Sequence, residues 1–172
     1  MTETLAETLS RTLTRTGTRS PLDLPPATDT YLQRAARSLH EAITTTEVPQ
    51  RYAQAHVSAL QATAALLAAR ATPSTRKPRR GAQKNAWVLL AEVAPELGEW
   101  AAFFAAGAAK RAAAEAGSRR AVTEREADDL VRDADRFLGL VEQALGMTRH
   151  APFDDVLPSC YGGCQGGPGR VA

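Results

Sequence analysis

The chain has little isoleucine, few aromatic residues and few cysteines. It has one isoleucine, aromatic residues make up 5% of the sequence, and its two cysteines are Cys160 and Cys164. Because strands favour β-branched and aromatic side chains, this composition disfavours a sheet. Two cysteines with three residues between them and no second ligand pair indicate neither a disulfide framework nor a zinc site. We therefore expect no metal and no cofactor.

The sequence also lacks long apolar runs. No segment approaches the roughly 18 apolar residues of a membrane-spanning helix, and the N-terminus has no apolar signal core. A net charge of +2 is too small to indicate a polyanion ligand by itself. From these absences we expect a cytoplasmic protein that makes no contact with a membrane.

What the chain has in abundance is alanine, with 34 residues. Alanine has the highest helix propensity, and its small side chain allows helices to pack closely. The composition thus predicts closely packed helices, and together with the helical periodicity described below we expect an all-α protein, an up-and-down bundle of four or five helices. We expect a bundle over residues 28–146, between a disordered arm at residues 1–27 and a disordered tail rich in Gly and Pro at residues 147–172.

Apolar residues recur at helical spacing through the predicted bundle. They predict helices over about residues 28–44, 49–71, 84–93, 95–116 and 123–146, with a kink or restart at Pro95. The last helix is the clearest. Thr123 and Glu126 form a capping-box pattern. A continuous apolar stripe then consists of Ala127, Leu130, Val131, Ala134, Phe137, Leu138, Val141 and Leu145.

The first candidate site is an arginine and a histidine near the start of the second predicted helix. Arg51 and His56 are separated by four residues, so both lie within two helical turns. A guanidinium binds phosphate and an imidazole exchanges protons near neutral pH, which are two of the roles that RNA cleavage requires. A solvated arginine and a histidine at a helix interface would give the same pattern.

The second candidate is a basic segment between the second and third predicted helices. No acidic residue occurs between Arg70 and Glu92, which is compatible with a phosphate-contacting surface or with a solvated loop. Its candidate nucleic-acid-binding residues are Arg70, Arg76, Lys77, Arg79, Arg80 and Lys84.

The segment from Tyr31 to Leu145 resembles an actinobacterial branch of the HEPN (higher eukaryotes and prokaryotes nucleotide-binding) superfamily. The resemblance depends on the block at residues 49–60, the block at residues 86–101 and the apolar stripe of the last helix. HEPN domains are helical bundles, often dimeric, and many share an Arg-x(4–6)-His motif for RNA cleavage. From the resemblance we expect a homodimer, and it implies that Arg51 and His56 line the dimer groove as phosphate contact and acid/base.

Two departures from the motif favour a module without catalysis. Tyr52 follows Arg51 where ribonuclease members usually carry a polar residue, and the motif opens the second helix instead of a later one. The preferred hypothesis is a non-catalytic or regulatory HEPN module that binds nucleic acid or a nucleotide. The alternatives are a metal-independent endoribonuclease, and a protein-interaction bundle in which Arg51 and His56 have no functional role.

Overall fold

The computed structural model describes residues 24–70 and 85–152, and in these two segments the chain forms α-helices and no strand. The helices are α1 (Pro26–Thr44), α2 (Val48–Arg70), α3 (Ala86–Val93), α4 (Gly98–Glu115) and α5 (Glu124–Ala144), with a 3₁₀ turn at Pro95–Leu97 before α4. The predicted all-α bundle is confirmed. None of the described helices is long and apolar enough to cross a membrane.

Helix α2 lies at the centre of the bundle and packs against each of the other four α-helices. Most of its buried side chains are small: Ala53, Ala55, Ser58, Ala59, Ala62, Thr63, Ala65 and Ala69. Small side chains let neighbouring helix backbones approach closely, and the Ser58 hydroxyl donates to the carbonyl of Ala35 on α1 at 2.9 Å. The alanine content thus serves close packing around one central helix.

Helices α3 and α4 are separated at Pro95, as the sequence predicts. The Asn85 side chain caps α3 by accepting from the backbone N–H of Trp87 at 3.2 Å. Pro95 then begins the 3₁₀ turn that leads into α4. Gly117 follows α4 with a φ of 83°, a left-handed conformation that glycine adopts without strain.

Helix α5 confirms both features predicted for it. Thr123 accepts from the Glu126 N–H, and the Glu126 carboxylate accepts from the Thr123 N–H, which completes the capping box. Lys110 of α4 pairs with Glu126, and this pairing and the Thr123 hydrogen bonds lower the pKa of Glu126 to about 2. Every residue of the predicted apolar stripe is buried.

The ends of the packed region differ from the predicted bounds. Helix α1 begins at Pro26, two residues before the predicted start. Leu24 and Met147, just outside the predicted bundle, are partly buried and pack against the core. The predicted disordered arm and tail lie mostly outside the described residues, and their disorder stays a prediction.

Candidate functional site

Arg51 lies in the first turn of α2 and is held there by two neighbours. Its guanidinium forms an ion pair with Asp128 of α5. A second nitrogen of the guanidinium donates to the carbonyl of Thr45, in the α1–α2 connection, at 3.4 Å. The Arg51 side chain is 18% exposed and that of Asp128 is 41% exposed. Arg51 is therefore fixed in orientation while remaining in contact with solvent.

A surface pocket of about 270 Å³ opens beside Arg51. It lies between α1, α2 and α5, and its lining consists of Ala42, Ile43, Arg51, Asp128, Val131 and Arg132. Arg132 also donates to Asp129 at 3.1 Å. Two arginines and one acidic residue are therefore among the residues that line this pocket. Guanidinium groups offer paired N–H donors that match the oxygens of a phosphate.

His56 is enclosed in the core, with a relative exposure of 1%. Its Nε2 lies 2.9 Å from the carbonyl oxygen of Phe104 on α4. Because a carbonyl only accepts, Nε2 carries the hydrogen and donates it. In the neutral ring Nδ1 is then an acceptor, and it has no hydrogen-bond partner in the described part of the chain.

Three neighbours enclose the imidazole of His56. The rings of Trp87 and Phe104 meet it edge-on, with centroids at 5.5 and 5.8 Å. Gly107 of α4 lies directly over it, since an added Cβ there would be 3.5 Å from His56 Cδ2 and 3.0 Å from the hydroxyl of Tyr52. Burial lowers the pKa of His56, and the hydrogen bond to Phe104 offsets only part of that effect.

The two residues of the predicted motif contact different parts of the bundle. Arg51 reaches Asp128 on α5, whereas His56 reaches Phe104 on α4 and Trp87 on α3. The two side chains share no hydrogen-bond partner among those that the structure describes. A joint catalytic role for Arg51 and His56 stays a prediction, and it would require the imidazole to reach a substrate from beneath α4.

Of the predicted basic residues, Arg70 is the one within the described segments. It ends α2, donates to the Val93 carbonyl at 3.2 Å and pairs with Glu96 at 2.7 Å. The pKa of Glu96 is lowered by a hydrogen bond from the backbone N–H of Glu96 to its carboxylate, and by the pairing with Arg70. Arg70 therefore ties α2 to the α3–α4 connection. Arg76, Lys77, Arg79, Arg80 and Lys84 lie outside the described residues.

The sequence patterns did not indicate one polar cluster that the structure contains. His150 places Nδ1 at 2.8 Å from Glu142 and Nε2 at 3.0 Å from Asp135, both on α5. Asp135 is only 5% exposed. The sequence feature that could have indicated this cluster is the position of Asp135, a carboxylate beside the apolar stripe of α5. The described residues contain no group of three or more His, Cys, Asp or Glu suited to a metal ion.

The fold and the motif define an α-helical bundle with an Arg-x4-His sequence at the start of its central helix. Residues 42–142 match the family described as HEPN_SAV_6107-like HEPN. This match covers more than half of the chain, including α2 to α4 and most of α5, so the chain belongs to that HEPN family. No curated protein and no solved structure matches the chain.

Proposed function

We propose that this chain is a non-catalytic HEPN module that binds nucleic acid or a nucleotide by a phosphate group held at Arg51. The observation that carries the proposal is the division of roles between the two motif residues. Arg51 lines a surface pocket together with Arg132, whereas His56 is enclosed in the core. Such an arrangement can bind a phosphate but offers no exposed imidazole for proton transfer.

The chemistry of the pocket suits a phosphate. A phosphate oxygen that approaches Arg51 competes with Asp128, and Arg132 supplies a second set of N–H donors. A water molecule occupies about 30 Å³ in the liquid. The pocket volume of about 270 Å³ therefore has room for a phosphate and an attached sugar, but not for a folded RNA. The remainder of a nucleic acid would follow the surface.

A basic surface beyond the pocket would strengthen binding to a longer strand. Arg76, Lys77, Arg79, Arg80 and Lys84 follow α2 in sequence and are the proposed additional phosphate contacts. Each phosphate contact with a single strand releases counterions and adds about −0.7 to the slope of log affinity against log salt. Replacing Arg76, Lys77, Arg79 and Arg80 by Ala should flatten the slope.

The proposal is tested by the anisotropy of a labelled single-stranded RNA, titrated with the full chain in EDTA. Arg51→Ala should weaken binding by about 10- to 100-fold, the value of a charge-assisted hydrogen bond. Asp128→Asn should leave binding intact or tighten it, because the competing carboxylate is removed. Arg125→Ala is the control for the loss of one arginine. Arg125 lies on α5, is 92% exposed and does not line the pocket.

The RNA recovered from this assay distinguishes the alternatives. Intact RNA agrees with the proposal, whereas cleavage that His56→Ala abolishes would replace it with the metal-independent endoribonuclease. In that alternative a homodimer would bring a second Arg51–His56 pair to the groove, and sedimentation would detect the dimer. Absence of RNA affinity in the wild-type chain would favour the protein-interaction bundle.

A further inference from the structure

An open aromatic groove lies on the surface of α4, away from the Arg51 pocket. It has a volume of about 320 Å³ and is lined by Glu99, Trp100 and Phe103 of α4 and Asp133 of α5. Phe103 is 47% exposed, although an aromatic residue of a helical bundle normally contributes to the core. None of these four residues lines the pocket at Arg51.

The aromatic wall of the groove is rigidly supported from the core. Trp100 stacks on Phe104 with ring centroids 6.0 Å apart and packs against Phe137 at 5.7 Å. Phe103 meets Trp100 edge-on at 6.2 Å and Phe104 at 5.1 Å. Because buried rings hold both side chains from behind, their outer faces form a preorganised surface that loses little entropy on binding.

The polar part of the groove is acidic. Glu99 and Asp133 contribute its two carboxylates, and no basic residue is among the described residues that line it. Burial raises the pKa of Asp133, although Arg136 forms an ion pair with its carboxylate at 3.8 Å. A cation placed in the groove would therefore relieve a partly desolvated acid. A phosphate would be repelled there.

We propose that this groove is a docking site for an arginine or lysine side chain of a partner protein. The cation would lie against the exposed face of Phe103 or Trp100 and pair with Asp133 and Glu99. Aromatic rings attract cations through their negative faces, and the two carboxylates add charge complementarity. An apolar residue beside the basic one would cover the remaining aromatic surface. This docking site is independent of the phosphate proposed at Arg51, because it selects ligands of the opposite charge.

The probe is a fluorescent peptide, Gly-Leu-Arg-Arg-Leu-Gly, titrated with the full chain. The same peptide with citrulline in place of arginine is the matched ligand, since it keeps the shape and loses the charge. Phe103→Ala should weaken binding by about 5- to 30-fold, the range of a cation–π contact of 1 to 2 kcal/mol. Asp133→Asn removes a charge-assisted hydrogen bond to the cation and should weaken binding by about 10-fold or more. Val88→Ala is the control, because Val88 is 48% exposed on α3 and does not line the groove.

Circular dichroism checks that each variant keeps its fold. Phe103→Ala should keep it, because the Phe103 side chain is half exposed. Equal binding of the arginine and citrulline peptides would overturn the proposal, since the groove would then be only an apolar patch. Self-association that sedimentation detects in the wild type but not in Phe103→Ala would also overturn the proposal. It would mean that a second copy of the chain covers the groove. Loss of peptide binding in Arg51→Ala would also overturn it. The RNA titration decides the phosphate proposal separately.

Discussion

At the scale of a single residue, His56 shows how a titratable group becomes part of a core. The edge-on rings of Trp87 and Phe104 exclude water, and the Phe104 carbonyl accepts the one N–H of the neutral ring. Protonation would place a charge in this enclosure beside an Nδ1 that has no described partner. The folded protein therefore keeps the imidazole neutral, which lowers its pKa.

We predict that His56 makes the protein less stable in mild acid. An unfolded chain takes up the proton near pH 6.5, whereas the folded chain resists it. The unfolded state thus binds more protons as the pH falls through and below about 6.5, and the free energy of unfolding decreases. His56→Gln keeps an N–H donor but does not titrate, so urea unfolding between about pH 5 and 7 should show a flatter pH dependence. An unchanged dependence would mean that His56 is solvated.

The spacing of Arg51 and His56 was visible in the sequence, but their surroundings were not. Arg51 is paired by Asp128, which lies 77 residues away along the chain, and His56 by Phe104, which lies 48 residues away. Nothing local to residues 49–60 specifies either partner. Sequence alone therefore identified the two candidate residues and could not show that Arg51 is partly exposed and His56 buried.

At the scale of the helix, α5 and α2 differ in how well their sequences predict burial. Helix α5 has one inward face, so the apolar stripe in its sequence correctly predicts which of its side chains are buried in the core. Helix α2 is packed on several sides. The apolar spacing of its sequence predicts an inner face of Ala53, Val57, Leu60, Ala64, Leu67 and Ala71. Ala53 is buried, but Val57, Leu60, Ala64 and Leu67 are only half-buried, and Ala71 lies outside the described residues. The most enclosed positions carry small residues, because little space remains between closely packed helices. Periodicity thus predicts a surface helix better than a central one.

We predict that α5 is far more sensitive at its apolar stripe than at its cap. Phe137 is fully buried and its ring contacts Trp100 and Phe104. Phe137→Ala should lower the free energy of unfolding by about 3–5 kcal/mol, and Leu130→Asp by more because it buries a charge. Thr123→Ala removes a hydroxyl that accepts from the Glu126 N–H and donates to the Glu126 carboxylate, and it should cost about 1 kcal/mol. Chemical unfolding of the three variants measures the order, and a cap mutant as damaging as Phe137→Ala would contradict it.

The segment after α5 is held against α5 by hydrogen bonds of His150 to Asp135 and Glu142. We call these three residues the histidine clasp. Both ring nitrogens face carboxylates, and the backbone N–H of His150 also donates to Glu142 at 2.8 Å. Two carboxylates need two N–H donors, so the geometry suits the protonated ring. Burial alone would lower the pKa of His150, but the hydrogen bonds to Asp135 and Glu142 outweigh it and raise the pKa.

We predict that the clasp stabilises the protein in mild acid and weakens at higher pH. With the folded pKa above the unfolded one, the stabilisation is complete below about pH 6.5 and is lost as the pH rises through the folded value. The difference in unfolding free energy between the wild type and His150→Gln should therefore shrink on going from about pH 6 to pH 8. This trend is opposite in sign to that of His56. A constant difference would show that His150 docks as the neutral ring.

At the scale of the whole molecule, the bundle is organised around α2 and presents two surfaces of different charge. The pocket at Arg51 lies where α1, α2 and α5 meet, and the acidic aromatic groove lies between α4 and α5. Helix α5 contributes to both, with Asp128 and Arg132 to the first and Asp133 to the second. Composition and helical periodicity predicted the bundle, whereas these surfaces depend on contacts between distant segments.

The central position of α2 predicts a gradient of local stability across the bundle. Its amides from about Ala55 to Leu66 are enclosed by other helices, and local opening there would expose buried surface on several sides at once. Helix α3 has 8 residues and buries only Trp87 and Leu90. Local opening free energies range from near zero to the global value, according to how much packing each opening breaks. Hydrogen–deuterium exchange should therefore be slowest in the middle of α2 and fastest, among the helices, in α3. Amides of α2 that exchange as quickly as those of α3 would mean that α2 is not the helix around which the others pack.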